Sequence, residues 1–130
     1  MANDPKFSNP DGVHAPMGLY SHTAVASAGT GLLFLSGQVG ARPDGTLGET
    51  IEEQADLVFA NIIALLAAHG LDATRIIKLT TYIVAGADGG AVRDARRKHL
   101  GAHRPTSTAV YVAGLVDPRM LVEVEAVAAL

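Results

Sequence analysis

The sequence lacks cysteine and tryptophan entirely, and only 5% of its 130 residues are aromatic. Without cysteine there are no disulfides, thiolate metal ligands, redox pairs or cysteine nucleophiles. Few aromatic side chains are available to stack on nucleic-acid bases. Any chemistry must therefore use oxygen and nitrogen groups.

An excess of positive charge and long apolar runs are also missing. Ten basic residues against thirteen acidic ones give a formal net charge of −3, the wrong sign for a chain that neutralises phosphates. The longest apolar stretch, 57–68, is interrupted by Asn61 and falls short of the ~18 residues of a membrane span. The first residues lack the basic-then-apolar order of a signal peptide. We expect a cytoplasmic protein with no membrane partner, and nucleic acid is not its expected partner.

Common catalytic motifs are absent from the sequence: there is no Walker loop, nucleophile elbow, His-Glu-x-x-His helix or calcium loop. His99 and His103 have the spacing of a two-histidine metal site, but Gly101 between them ends the helix that would align them. We therefore predict neither a metal site nor a cofactor.

Apolar residues make up 48% of the chain, which is typical of one globular domain over residues 1–130. Residues 1–19, rich in Asn, Asp, Pro and Gly, are predicted to form an arm or loop with at most one short strand. Two strands, at 21–26 and 32–38, are predicted to pair as a hairpin. Thr50 and Glu53 form a capping-box pattern that starts a long helix.

After this helix, a buried strand at 75–84, a shorter helix at about 90–100 and two strands at 106–112 and 121–128 are expected. The predicted order is ββαβαββ, which indicates an α+β (α/β) fold with a mixed sheet and both helices on one face. The strands are also apolar at many positions that would face away from the helices. Such an uncovered face favours a symmetric homo-oligomer.

Charged residues offer two candidate sites. Glu123 and Glu125 alternate with valine in the last strand, so both carboxylates share one face. This pattern fits an acid–base site or the polar side of an ordinary edge strand. A basic cluster is either an RNA-facing patch or the solvated side of the second helix; its members are Arg93, Arg96, Arg97, Lys98 and Arg104.

Four motifs occur in the order and spacing of a known family. They are Tyr20-Ser21-His22-Thr23-Ala24, Leu35-Ser36-Gly37-Gln38-Val39, Ile51-Glu52-Glu53-Gln54-Ala55 and Leu121-Val122-Glu123-Val124-Glu125-Ala126-Val127-Ala128. The chain resembles the RidA/YjgF family, also known as reactive intermediate deaminases or endoribonuclease L-PSP, over about residues 16–129. The resemblance implies a chorismate-mutase-like fold and a homotrimer with clefts between subunits. It also implies hydrolysis of enamine and imine intermediates, such as 2-aminoacrylate, to a 2-keto acid and ammonia without metal or cofactor.

The resemblance assigns catalytic roles to Tyr20 and Glu123 and a substrate-binding role to the backbone at Gly37. Members of the deaminase branch carry Pro-Ala-Arg-Ser at the start of the penultimate strand, where this chain has Pro105-Thr106-Ser107-Thr108. Ser107 stands in the place of the arginine and cannot supply a charged fork for a carboxylate.

Aromatic residues of the family in the second helix align with Arg96 and His99. Two explanations follow: the cation is relocated to Arg96 or Arg104, or the substrate lacks a carboxylate. The remaining cleft residues are expected to be Ser107 and Thr108. We thus expect a RidA-like deaminase acting on a small molecule other than the usual 2-imino acids. The alternatives are a non-catalytic binding or sensing trimer and, third, RNA cleavage of the L-PSP type.

Overall fold

The computed structural model describes residues 3–130. These residues form two three-residue strands and one eight-residue strand, then a long helix, a strand, a second helix and two final strands. The elements are β1 (Lys6–Ser8), β2 (Thr23–Val25), β3 (Leu32–Val39), α1 (Ile51–Ala68), a 3₁₀ turn (Ala73–Arg75), β4 (Ile76–Val84), α2 (Gly89–Leu100), β5 (Thr106–Val112) and β6 (Val122–Ala129). The predicted order ββαβαββ is confirmed, and β1 lies within the predicted arm.

The main sheet has the strand order β3-β6-β4-β5. Strands β4 and β5 run parallel because α2 connects them as a crossover, whereas β6 is antiparallel to both of its neighbours. Both helices pack on one face of this mixed sheet, as predicted. The core lies between the helices and the sheet. It is formed by the buried residues Val58, Phe59, Ile62, Leu66, Leu79, Ile83, Val92, Val122, Val124 and Ala126.

The predicted hairpin of β2 with β3 is wrong. Strand β2 pairs with β1 of the arm, and β3 pairs with the last strand, β6. Strand β2 has only three residues and largely exposed side chains, so it contributes little apolar surface to a sheet. Strand β3 instead places Leu33 and Leu35 against the core beside β6, and this burial decides its partner.

Helix α1 begins as the sequence predicts. The Thr50 hydroxyl accepts a hydrogen bond from the Glu53 backbone N–H at 3.2 Å. One turn further, the Gln54 side chain is only 1% exposed and anchors two loops. Its amide nitrogen donates to the carbonyls of Gly48 and Arg119, and its oxygen accepts from the Leu121 N–H. Gln54 therefore holds the chain in place where it enters β6.

The face of the sheet away from the helices is open in the single chain. Phe34 is 71% exposed on it, and Leu32 and Val110 are also exposed. Lys78, Thr80 and Glu125 lie among these apolar side chains. In residues 3–130, neither helix combines the length and apolarity required to cross a bilayer.

Candidate functional site

The predicted site residues lie on two opposite faces of the sheet. Glu123 is the cross-strand neighbour of Tyr82, on the open face. Ser107 is the neighbour of the fully buried Leu79, on the face covered by the helices. One protomer therefore does not bring Glu123 and Ser107 into a shared cleft.

The Glu123 carboxylate lies directly over Gly37. A Cβ added at Gly37 would come within 2.1 Å of the Glu123 Oε2 atom, so only glycine leaves room for the carboxylate here. The pairing of β3 with β6 shifts register between Leu35 and Gln38, which places Gly37 in a bulge. A half-buried carboxylate thus lies against irregular backbone, where it can contact a water molecule and exchange a proton with it.

A cleft of about 490 Å³ opens beside this carboxylate. Tyr82 and Glu125 line it together with Glu123, and the loop after β5 forms its other wall. The Tyr82 hydroxyl donates to Glu125 Oε1 at 3.1 Å. This hydrogen bond raises the pKa of Tyr82, so its hydroxyl stays protonated as a donor at neutral pH.

Tyr20 lies in the N-terminal arm, half-buried. Its hydroxyl accepts from the Met17 N–H at 3.1 Å, and its ring meets the His22 ring edge-on at 5.5 Å. Its neighbours Gly18 and Leu19 line a cavity on the helix side of the sheet. In the sequence, Tyr20 directly follows two residues that line this second cavity, whereas the Glu123 cleft is lined by residues of other segments.

The second cavity, of about 170 Å³, lies between α2, the edge strand β5 and the arm. Arg93 and Arg96, one turn apart on α2, form its polar wall. Its other lining residues are Gly18, Leu19, Phe59, Thr81, Ile83, Gly89, Val92 and Ala109. The cavity thus combines a largely apolar wall with two guanidinium groups.

Arg96 connects helix α2 to strand β5 and to the arm beside this cavity. One Nη donates to the Ser107 hydroxyl at 2.9 Å, and the other donates to the Leu19 carbonyl. Its Nε is buried and is the one buried side-chain polar atom in residues 3–130 that lacks a hydrogen-bond partner. Burial, and to a lesser degree the charge of Arg104, lower the pKa of Arg96 to about 10, so the side chain stays charged at neutral pH.

The two other predicted binding residues lie outside this cavity. The Arg104 guanidinium donates to the carbonyls of Gly101 and His103. Thr108 lies on the open face, where its hydroxyl accepts from Lys78 Nζ at 2.9 Å. Of the two candidate replacement cations, Arg96 alone lines a cavity and contacts Ser107.

The two histidines with metal-like spacing turn to different partners. His99 Nε2 lies 2.8 Å from Asp56 Oδ1, and His103 Nε2 lies 2.8 Å from the Ile76 carbonyl. Each ring is therefore occupied by its own hydrogen bond, and the pair is not aligned on a common ligand.

Arg93 and Tyr82 were not predicted as site residues. Arg93 is exposed, as expected, and it also lines the cavity beside Arg96. The spacing of three residues between the two arginines was the available signal, since such residues share one helix face. Tyr82 carried no signal, because its proximity to Glu123 depends on the register of β4 against β6.

A family model described as endoribonuclease L-PSP, the older name of RidA/YjgF proteins, matches residues 12–130. The chain belongs to the RidA/YjgF family. A RutC family protein of Aquifex aeolicus is 41% identical over 69 residues, 52% of this chain and 53% of that protein. Reactive Intermediate Deaminase A of Arabidopsis thaliana, a chloroplastic protein, is 30% identical over 118 residues, 89% of this chain and 61% of that protein.

The chain thus spans between half and two thirds of the length of these relatives. A crystal structure of a Rid-family protein of unknown function from Yersinia pestis has a TM-score of 0.86 at 25% identity, over 98% of this chain and 99% of that one. This likeness supports the predicted chorismate-mutase-like α+β fold. The names of the relatives support a function of the RidA type in general terms.

Proposed function

We propose that this protein is a RidA-type deaminase that hydrolyses an imine or enamine of a small metabolite. Water adds to the electrophilic carbon of the protonated C=N group, and collapse of the adduct releases ammonia and leaves a carbonyl group. The reaction consumes one water: a C–O bond forms, the C–N bond breaks as ammonia leaves, and no electrons are exchanged with an outside partner. It therefore needs a positioned carboxylate to move the protons and no redox partner.

The observation that carries this proposal is the Glu123 carboxylate over Gly37. Its Oε2 occupies the space of a missing side chain beside a β-bulge, at the rim of a cleft of about 490 Å³. Glu123 would take a proton from the attacking water and return it to the departing nitrogen. Tyr20 and the backbone at Gly37 would orient the substrate.

We further propose that the working unit is a homotrimer with the site between subunits. The Glu123 cleft and the Arg96 cavity open on opposite faces of one sheet. A second copy of the chain is therefore needed to bring a carboxylate and a guanidinium to the same substrate. The exposed Phe34 on the open face is apolar surface that such an assembly would cover. Sedimentation at micromolar concentration should give about three times the 13.4 kDa mass of the chain. A monomeric mass would refute the trimer.

Ser107 limits the substrate. A serine hydroxyl cannot form the bidentate charged contact of an arginine, so the usual 2-imino acids should be turned over poorly. We propose that the natural substrate is a different imine or enamine.

The test is ammonia release from a panel of freshly generated imines. The panel should include 2-imino acids, imines with a more distant carboxylate, and neutral imines. Acceleration of at least one member over buffer supports a deaminase. If no member is accelerated while some are bound, the protein is a binding or sensing module instead. Cleavage of RNA in the same preparation, abolished by a substitution at Glu123, would favour the ribonuclease alternative.

A further inference from the structure

The cavity on the helix side of the sheet holds positive charge without a negative partner. In the part of the chain that the structure describes, neither Arg93 nor Arg96 forms an ion pair with a carboxylate. The nearby Asp88 is engaged in capping α2, where its Oδ1 accepts from the Gly90 N–H at 2.8 Å. Arg96 is half-buried, whereas Arg93 is exposed at the cavity wall, and the half-buried charge of Arg96 is costly to leave unpaired.

The hydrogen bonds of Arg96 also leave the guanidinium incomplete. One Nη donates to the Ser107 hydroxyl and the other to the Leu19 carbonyl, both neutral oxygens, and the buried Nε has no hydrogen-bond acceptor. An anion that accepts from Nε and an adjacent Nη would form the bidentate pair that guanidinium groups favour. Arg93, one turn away, adds a second positive charge on the same wall.

The size and the walls of the cavity define what fits. At about 170 Å³ it holds a group equivalent to ~5 or 6 water molecules, at ~30 Å³ each. Phe59, Ile83 and Val92 form an apolar wall that suits a short hydrocarbon portion. A carboxylate attached to a few carbon atoms meets both requirements.

We infer that this cavity binds the carboxylate of a small organic acid through Arg96 and Arg93, and that this carboxylate belongs to the substrate. This inference deepens the proposed function and rests on it only where it calls the ligand a substrate. The anion is held from helix α2 instead of from strand β5. Ser107 then orients the guanidinium by accepting its hydrogen bond. The substrate is accordingly an anionic imine or enamine, and the alternative of a substrate without a carboxylate falls away.

Binding measured without turnover tests this inference. Two matched pairs serve as probes: acetate with acetamide, and butanoate with butanamide. Titration of the full chain, followed through the ¹⁵Nε–¹H signal of Arg96, should show a shift with the two acids and none with their neutral analogues. Equal shifts with acid and neutral probes would overturn the inference.

Three variants separate the cations. Arg96→Gln keeps a donor for Ser107 but removes the charge, and should weaken acetate binding by about tenfold to a hundredfold. Arg96→Lys should recover part of the affinity through charge alone. Arg97→Gln, on the exposed side of the same helix, should bind as the wild type does. Unchanged affinity in Arg96→Gln, or an equal loss in Arg97→Gln, would contradict the assignment.

The outcomes also distinguish this inference from the deaminase proposal. Arg96-dependent binding of acids in a protein that hydrolyses no imine would keep the anion site and reject the deaminase. Hydrolysis of neutral imines alone, with no binding of acids, would keep the deaminase and reject the anion site.

Discussion

The two faces of the sheet carry opposite chemistry. On the open face, Glu123, Glu125 and Tyr82 form an acidic group. On the covered face, Arg96 and Arg93 form a cationic group against apolar walls. The acidic group stands on strands, whose register sets its geometry, while the cationic group stands on helix α2, from which Arg96 donates to Ser107 of β5. Under the proposed function, proton transfer and substrate selection would therefore be separable.

The largest effect is expected on the acidic side. Glu123→Gln keeps the size of the side chain but removes the exchangeable proton, which should lower turnover by about 10²- to 10⁴-fold. Folding and assembly should survive, since the substitution leaves neither a cavity nor an unpaired charge. Ammonia release and sedimentation on the same sample check both points, with Glu52→Gln on exposed α1 surface as the control. Weakened assembly at full activity per trimer would instead mean that Glu123 is an interface residue.

A smaller effect on the same side tests geometry alone. Gly37→Ala would place Cβ 2.1 Å from Glu123 Oε2 and displace the flexible end of that side chain. A shift of ~1 Å in a catalytic group can cost about 10²-fold, so activity should fall steeply while the thermal midpoint changes little. Gly29→Ala is the control, because nothing lies within 4 Å of an added Cβ there and Gly29 lines neither cavity; its positive φ of 78° can lower the thermal midpoint but leaves the carboxylate untouched. Equal activity of the two variants would show that the carboxylate position is unimportant.

The cationic side should affect substrate choice more than rate. The double variant Ser107→Arg, Arg96→Phe moves the guanidinium from the helix to the strand and should raise turnover of 2-imino acids at least ~10-fold. Ser107→Arg alone should gain less, since the new guanidinium would lie beside Arg96. Comparing kcat/KM for 2-imino acids and for longer anionic imines measures the change. A wild type already as fast on 2-imino acids as arginine-bearing relatives would contradict this prediction.

The smallest effect is expected on the free energy of unfolding, through His103 near the cationic group. His103 is half-buried, its Nε2–H donates to the Ile76 carbonyl, and its ring meets the Phe7 ring edge-on with 5.0 Å between centroids. Burial, with the charges of Arg96 and Arg104 acting in the same direction, lowers the pKa of His103 below its ordinary value of 6.5. The folded state thus favours the neutral ring, and stability should be full above pH 6.5 and decline as the pH falls through the lowered pKa.

Denaturant unfolding at pH 7.5 and 5.5 checks this dependence. The wild type should lose more free energy of unfolding between the two pH values than His103→Gln, which has no titrating ring. Parallel losses in the two proteins would remove His103 from the acid sensitivity.

Sequence periodicity predicted the elements built from local signals. The cap at Thr50 and the alternation of Val122, Glu123 and Val124 are properties of neighbouring residues, so helix α1 and the shared face of the two glutamates were predictable. The partner of β2 was not predictable, because it depends on which distant strand buries β3. Local pattern carries no information about that competition.

The sequence alone indicated which side chains could carry chemistry, the carboxylates and the arginines; its periodicity predicted the α+β fold, and its motifs predicted the family. Tertiary structure decided which of these residues meet. Register between β4 and β6 brings Tyr82 to the acidic group, and the packing of α2 on the sheet brings Arg96 to Ser107. The physical reason is that the functional group of a side chain is a property of one residue. A contact between distant residues, in contrast, forms only when burial of the whole core selects one arrangement of the chain.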